Sequence, residues 1–255
     1  MTAPDRVDAV SVAELERLAA RTWRGLEEEP YGDWLLRAGG GFTGRSNSVL
    51  VVGEPPEPLD RAVATVTRWY ERRGLRPRAY VPSPGGEDAD AALEEAGWDR
   101  LEDNLVLTAP LAGWGAPHVA VVLAPVPDDD WLTGYRYRGT PLPPVARDVL
   151  VNADEPVFAS VRLEPGPAPL AAVARGVLVE DWLVVTAVTV AEEARRRGLG
   201  TAVMAFLADW ARDRGGRRCL LQVVETNTAA LALYDRLGFT EHHRYHYRQA
   251  PTSAR

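Results

Sequence analysis

The stretch VTAVTVAEEARRRGLGTAVMAFLADW, residues 185–210, decides how the rest of the chain is read. Its opening residues are apolar or β-branched, as a strand requires, and the run ends at Val190. A short loop then brings Arg195, Arg196, Arg197, Gly198 and Gly200 directly before a segment with Val203, Leu207 and Trp210 on a common helical face. The order is strand, loop, helix. A helix N-terminus offers backbone N–H groups that lack intrahelical acceptors, together with the positive end of the macrodipole, and both suit a phosphate. Glycines let the backbone approach closely and arginines add charge, so the loop is read as an anion site. The Walker pattern fails for want of GK[ST], and the dinucleotide fingerprint fails because only one glycine pair is present. The bland alternative is a solvated basic turn capping a surface helix.

Downstream, RCLLQVV predicts a strand, and ETNTAALALYDRLGF, residues 225–239, predicts a helix that starts at Asn227 and stops at Gly238. Tyr234 follows Asn227 by seven residues, two turns on and on the same face. Upstream, PVFASVRL, ARGVLVE and DWLVVTAVTV read as three successive strands. The series of strand, RxxGxG loop, helix, strand and NxxAxxLYxxxGF helix resembles the GNAT superfamily of acyl-CoA-dependent N-acyltransferases, across roughly residues 118–250.

The resemblance implies an α/β (α+β) fold, with mixed, mostly antiparallel sheets flanked by helices, and acetyl-CoA as the acyl-donor cosubstrate. It implies that Val188 and Val190 offer backbone groups to the pantetheine arm. Arg195, Arg196, Arg197, Gly198, Leu199, Gly200 and Thr201 would bind the pyrophosphate, and Asn227 the cofactor arm. Tyr234 would donate a proton to the leaving thiolate. Ordinary acyl-transfer chemistry then has a neutral amine attack the thioester, with a strand N–H such as that of Val190 stabilising the oxyanion. The amine needs a base or a water relay. Here the chain departs from the family's commonest pattern, because DWLVVTAVTV has no Glu at its centre. Glu225 is the candidate base; like Glu180 and Asp181, it also reads as a turn or cap residue, so a water relay stays open. Cys219, at the start of an apolar strand, reads as a small buried residue, and His242, His243 and His246 as alternation on a final strand, not metal ligands.

The chain has 255 residues and a net charge of −7. All 29 basic residues are arginine, and Lys and Ile are absent; their AT-rich codons make coding bias the simplest cause, so an arginine carries weight only where its position does. Residues 1–115 hold 13 Arg against 20 acids and the remainder 16 against 16, so the excess acid lies in the first half, where a cationic amine could be attracted. A globally acidic chain is a poor match for nucleic acid. A single cysteine excludes a disulfide framework, no apolar run is long enough to span a membrane, and MTAPDRVDAVSVAELE lacks the look of a secretory signal. The expectation is a cytoplasmic monomer or homodimer.

The first half predicts a helix capped by Ser11 with Glu14, strands at 33–38 and 46–52 joined by GGGFTG as a hairpin, a helix at 59–74, a strand at 78–81, a helix at 88–97 and a strand at 104–111. LAGWGAPH, 111–118, reads as a linker. AALEEAGWDRLEDNLVL, from 91, matches ALYDRLGFTEHHRYHY, from 232, in its pattern of helix, Gly plus aromatic and strand. That implies two GNAT-like units in tandem: a degenerate one at 1–112, with Glu94 or Glu95 near the position of Tyr234, and a catalytic one at 117–255. DWLLRAGGGFTGRSNSVL also resembles the amino-terminal half of tandem GNAT proteins, which makes Trp34, Phe42, Arg45 and Asn47, with Arg37 and Thr43, candidates for the substrate cleft. The expected activity is acetyl transfer to a primary amine of a small molecule. Its rivals are a protein lysine or N-terminal acetyltransferase and a non-enzymatic acyl-CoA sensor.

Overall fold

The structure is a computed structural model that describes residues 10–111, 113–115, 119–135, 139–164 and 168–252. Helix α1 (Val12–Thr22) begins at the Ser11 and Glu14 capping box that the sequence predicts. Strands β1 (Glu27–Tyr31), β2 (Trp34–Ala38) and β3 (Val49–Leu50) follow, then α2 (Leu59–Glu71), β4 (Arg78–Ser83), α3 (Glu87–Glu95), β5 (Asp99–Arg100) and β6 (Asn104–Pro110). The second series runs β7 (Val122–Ala124), α4 (Asp129–Gly134), α5 (Ala146–Val151), β8 (Val157–Val161), β9 (Ala172–Val179), β10 (Trp182–Val190), α6 (Leu199–Arg212), β11 (Arg218–Val224), α7 (Thr228–Arg236) and β12 (Thr240–Gln249).

The expected hairpin departs from the sequence reading. Strand β2 pairs with β3 as expected, but only at Leu35 and Leu50, and its longer partner is β1. The sequence EEEPY hides β1, because its glutamates and proline suit a solvated edge, not an alternating apolar face. Of the linker at 111–118, residues 112 and 116–118 lie outside the described residues; Trp114 packs on Phe239, with ring centroids 5.5 Å apart.

The mixed, mostly antiparallel sheets expected in tandem are present and are fused edge to edge into one, in the order β1-β2-β3-β4-β12-β6-β11-β10-β9-β8-β7. Among the described residues, only β3 with β4 and β10 with β11 run parallel. The junction is reciprocal. Strand β6, from the first half, lies along β11 from Asn104 opposite Val224 to Pro110 opposite Arg218. Strand β12, from the second half, lies along β4 from Arg244 opposite Ser83 to Gln249 opposite Arg78. Each half therefore completes the other's sheet. The cores follow the same exchange: Leu105, Leu107 and Ala109 of β6 pack with Val203 and Leu207 of α6, while Tyr245 and Tyr247 of β12 pack beside Leu15 and Leu18 of α1.

The two helices that precede the exchanged strands end alike. Gly97 and Gly238 have φ of +77° and +80°, their N–H groups bond Glu94 and Asp235, and the next N–H, of Trp98 or Phe239, reaches back to Leu93 or Tyr234. This is the Schellman ending, and it aligns the two segments residue by residue. The counterpart of Tyr234 is therefore Leu93, fully buried, and not the neighbouring glutamates that the sequence suggested.

Candidate active site

Strand β10 makes the site by leaving its neighbour. It pairs with β11 from Trp182 to Val185, and beyond Val185 opposite Leu221 no further pair forms. On its other edge a bulge lies between Thr186 opposite Arg175 and Thr189 opposite Val173, and Ala187 there takes a positive φ of 56°. An extra residue bends a strand and re-aims the residues beyond it. Past the bulge, Ala191 N–H bonds the Ala171 carbonyl, and Val190 stands opposite Ala172. Alternation along an antiparallel pair then turns the Val190 N–H and carbonyl to the side that β11 has vacated.

The gap is a cleft of about 250 Å³. Thr186, Ala187, Val188 and Thr189 form one wall, and Gln222, Val223, Val224, Asn227, Ala230 and Tyr234 the other. The floor and mouth come from the exchanged strands and the first half: Asn104, Tyr245, Tyr247, Thr43, Gly44 and Arg45. Among the described lining residues there is no Asp or Glu, so none of the first half's described acids lines the cleft.

At the far end of β10 the loop reaches α6. Arg195, Arg196 and Arg197 are exposed, Arg196 has a positive φ of 59°, and Gly198 is the N-cap with φ 75° and no side-chain cap. The first intrahelical acceptor, the Gly198 carbonyl, takes the Ala202 N–H, which leaves the N–H groups of Leu199, Gly200 and Thr201 without one. A Cβ on Gly198 would meet nothing within 4 Å, so open space lies beside the turn. Leu199 is buried and anchors the turn, while Gly200 sits so close to α7 that a Cβ there would be 2.9 Å from Leu233 Cδ2. The donors, the room and the charge fit a diphosphate.

Tyr234 is 6% exposed, lines the cleft and packs its ring 5.6 Å from Phe239. Burial pushes its phenol well up, with a smaller contribution from Cys219, so it stays protonated at neutral pH. Asn227 caps α7 through its own side chain, which accepts from Ala230 N–H at 3.2 Å. Val188 lines the cleft; Val190 lies beyond it, next to Gly200.

Other candidates are placed elsewhere. Glu225 is exposed and pairs with Arg244 at 2.7 Å, and Glu180 and Asp181 pair with Arg21 and Arg218; none lines the cleft. Trp34 is buried in the first-half core with its indole N–H on the Gly53 carbonyl, and Phe42 is buried beside Trp23. Asn47 is buried too; its Oδ1 accepts from the N–H groups of Gly39 and Gly41, and its Nδ2 donates to the carbonyls of Phe42 and Thr43. Trp34 belongs to the core and Asn47 shapes the loop, and of the four substrate candidates only Arg45 lines the cleft. Cys219 is fully buried and its thiol is pushed far up by burial, so it is no nucleophile. The histidines do not simply alternate on β12, because a bulge lies between Glu241 and His243: His242 bonds the Val10 carbonyl and His243 bonds Glu16, both on the α1 side, while His246 bonds Asp90 of α3.

The sequence reading missed Gln222, Tyr80 and Glu16. Arg45 Nη1 donates to Gln222 Oε1 at 3.0 Å, Gln222 Nε2 donates to the Tyr80 hydroxyl at 2.9 Å, and that hydroxyl donates to Glu16 at 2.7 Å. The signal that could have found them is a Gln inside the apolar run RCLLQVV and a Glu on the buried face of α1.

The chain is similar to known proteins in sequence and fold. A family model described as probable histone acetyltransferase Rv0428c C-terminal matches residues 10–248. The uncharacterized N-acetyltransferase YobR of Bacillus subtilis (strain 168) is 25% identical over 93% of this chain and 98% of its own length. The probable histone acetyltransferase Rv0428c of Mycobacterium tuberculosis is 30% identical over 94% of this chain and 74% of its own. A solved tandem GNAT protein from the clavulanic acid biosynthesis pathway superimposes with a TM-score of 0.63 at 14% identity, covering 97% of this chain and 91% of that one.

Proposed function

The chain belongs to the family described as probable histone acetyltransferase Rv0428c C-terminal and is a GNAT-type N-acetyltransferase, and from that premise we propose that it acetylates a primary amine of a small molecule by direct attack within a ternary complex with acetyl-CoA. The observation that carries this reading is the cleft opened by β10 leaving β11, with Tyr234 in its wall and the Gly198 turn beyond its end.

Acetyl-CoA supplies an activated acyl group. The turn from Arg195 to Thr201 holds its diphosphate with backbone donors and exposed guanidinium groups. The Val188 backbone in the cleft wall and the Val190 N–H just beyond it, on the side that β11 has vacated, orient the arm, and Asn227 stands on the opposite wall. Tyr234, kept protonated by burial, donates to the departing thiolate. Cys219 offers no second nucleophile, which favours a single transfer over an acyl-enzyme. With every candidate carboxylate engaged in an ion pair outside the cleft, the amine gives up its proton to water.

The test is thiol release from acetyl-CoA with a panel of amino acids, polyamines, aminoglycosides and a lysine peptide, alongside thermal unfolding with CoA. Release with small amines supports the reading. Release with the peptide alone shifts it to a protein acetyltransferase, the activity named for the 30% identical relative. A thermal shift with CoA but no release with any amine leaves an acyl-CoA sensor.

A further inference from the structure

Two arginines share one buried indole beside the cleft. The Arg45 guanidinium lies 4.6 Å from the Trp23 ring centroid and that of Arg175 lies 5.2 Å away, while the indole N–H donates to Thr43 Oγ1. Arg175, on β9 opposite Thr186, is 0% exposed. Its Nε donates to the Leu150 carbonyl at 2.7 Å, its Nη1 reaches Thr186 Oγ1 at 3.4 Å, and its Nη2 has no acceptor. All its partners are neutral. Burial, and then the charge of Arg45, pull its pKa down to about 9, which still leaves it cationic at neutral pH.

A buried guanidinium with neutral partners, an orphaned nitrogen and a like charge nearby costs stability on each count. An anion in the adjoining cleft would offset that cost. Arg45 lines this cleft, and no acid is among the described lining residues. Its guanidinium is also held in place. Gln222 accepts from Nη1 and is itself fixed by the Tyr80 hydroxyl, whose carboxylate partner, Glu16, is also bonded by His243. Gly44 presses its backbone on Tyr247 so closely that a Cβ would stand 2.7 Å from Cζ. Preorganised guanidinium groups are suited to a planar carboxylate.

Resting on the acetyltransferase reading above, we propose that the acceptor amine carries a carboxylate, received by Arg45 in the lining of the cleft, with the buried Arg175 charge against the same indole. The cofactor does not need this charge, because its phosphates belong to the Arg195–Thr201 turn beyond the end of β10, and its thioester end is neutral. The anion is then the acceptor's own. Among lining residues that are otherwise tyrosine, amide, threonine and aliphatic, the guanidinium is what selects an amino acid over a simple amine.

The experiment uses the full chain with acetyl-CoA and a panel of α- and ω-amino acids, each paired with its primary carboxamide, at low ionic strength. The expected result is at least one acid exceeding its amide by about ten-fold in kcat/KM, mostly through KM, as one charge-assisted bond gives. In Arg45→Gln that ratio should fall towards one, Arg45→Lys should keep part of it, and CoA affinity should hold within about two-fold. The wild-type ratio needs no variant and so does not depend on how the variants fold. Turnover in which every amide equals or exceeds its acid overturns the carboxylate inference and leaves the acetyltransferase reading standing. A parallel loss of CoA affinity in Arg45→Gln overturns it too, by giving Arg45 to the cofactor. Acetylation of a lysine peptide with no turnover of any pair overturns the small-amine reading itself, and silence of every amine overturns both.

Discussion

Tyr234 and Gly198 are where the two ends of the reaction can be tested one atom at a time. Tyr234→Phe removes the hydroxyl and keeps the ring that packs on Phe239, so the fold and CoA affinity should persist while kcat falls. Positioned proton donors contribute about 10²- to 10⁴-fold, and a thiolate with an ordinary pKa of roughly 8.5 leaves without much help, so the expected loss is near the lower end. Steady-state kinetics with calorimetry of CoA binding checks it; an unchanged kcat would remove Tyr234 from the chemistry. Gly198→Val asks a different question. Its φ of 75° costs a β-branched residue about 1–2 kcal/mol, or a few degrees of Tm, yet its Cβ meets no protein atom. The protein should fold, and the thermal shift given by CoA should vanish. Both residues stood out in the sequence because their signals are local: a glycine- and arginine-rich loop before a helix, and a tyrosine two turns after an asparagine at a helix start. Arg175, Gln222 and Glu16 were not, because what they do depends on register; the Glu16 and His243 bond joins residues 227 positions apart.

At the scale of elements, the sequence showed the helices and most strands through periodicity, but not which strands pair. The β10 bulge was invisible because Ala187 carries no mark of a positive φ, and the divergence from β11 is a relation between two strands. The same holds for the contact between α3 and β12. Asp90 of α3 accepts from Arg248 Nε at 2.8 Å and bonds His246 Nε2 at 2.6 Å, tying a first-half helix to a second-half strand. Burial raises the Asp90 carboxyl, but the bonds from Arg248 and His246 outweigh it and its pKa ends below the usual value. Burial lowers His246, against the pull of Asp90. For both groups the unfolded chain binds protons more readily than the native one, so stability is present above the unfolded values and declines as pH falls, first below about 6.5 and again below about 3.9. Asp90→Asn should cost about 1–3 kcal/mol at pH 7 and flatten the lower of the two declines. Thermal unfolding from pH 7 to 3 measures both; a variant with the wild-type Tm and the wild-type acid profile would show that the contact contributes nothing.

The whole molecule is held by exchange. Residues 1–112 and 117–255 are, in our reading, two halves of one folding unit, because β6 sits inside the second half's sheet and β12 inside the first half's. Removing 1–112 would strip β11 of its partner along Arg218–Val224, and leave Cys219, Leu221, Tyr234 and Phe239 without the apolar face of Leu105, Leu107 and Ala109. Removing 117–255 would expose the edge of β4 that β12 covers, and unpack Tyr80 from Tyr245, whose rings stack at 3.9 Å. Unpaired edges and bare apolar faces lead to aggregation. The cleft has the same dependence, since Asn104, Thr43, Gly44 and Arg45 come from one half and Tyr234, Gln222 and Val188 from the other. Each half expressed alone should therefore be insoluble or lack cooperative unfolding. The two co-expressed as separate chains should assemble into one particle with a single unfolding transition and restored CoA binding, because the pairing across the break does not need the covalent link. Size exclusion and calorimetry of the three preparations decide the matter. A soluble, cooperatively folding 117–255 that binds CoA as tightly as the whole chain would mean that the exchanged strands are an ornament on an independent catalytic unit.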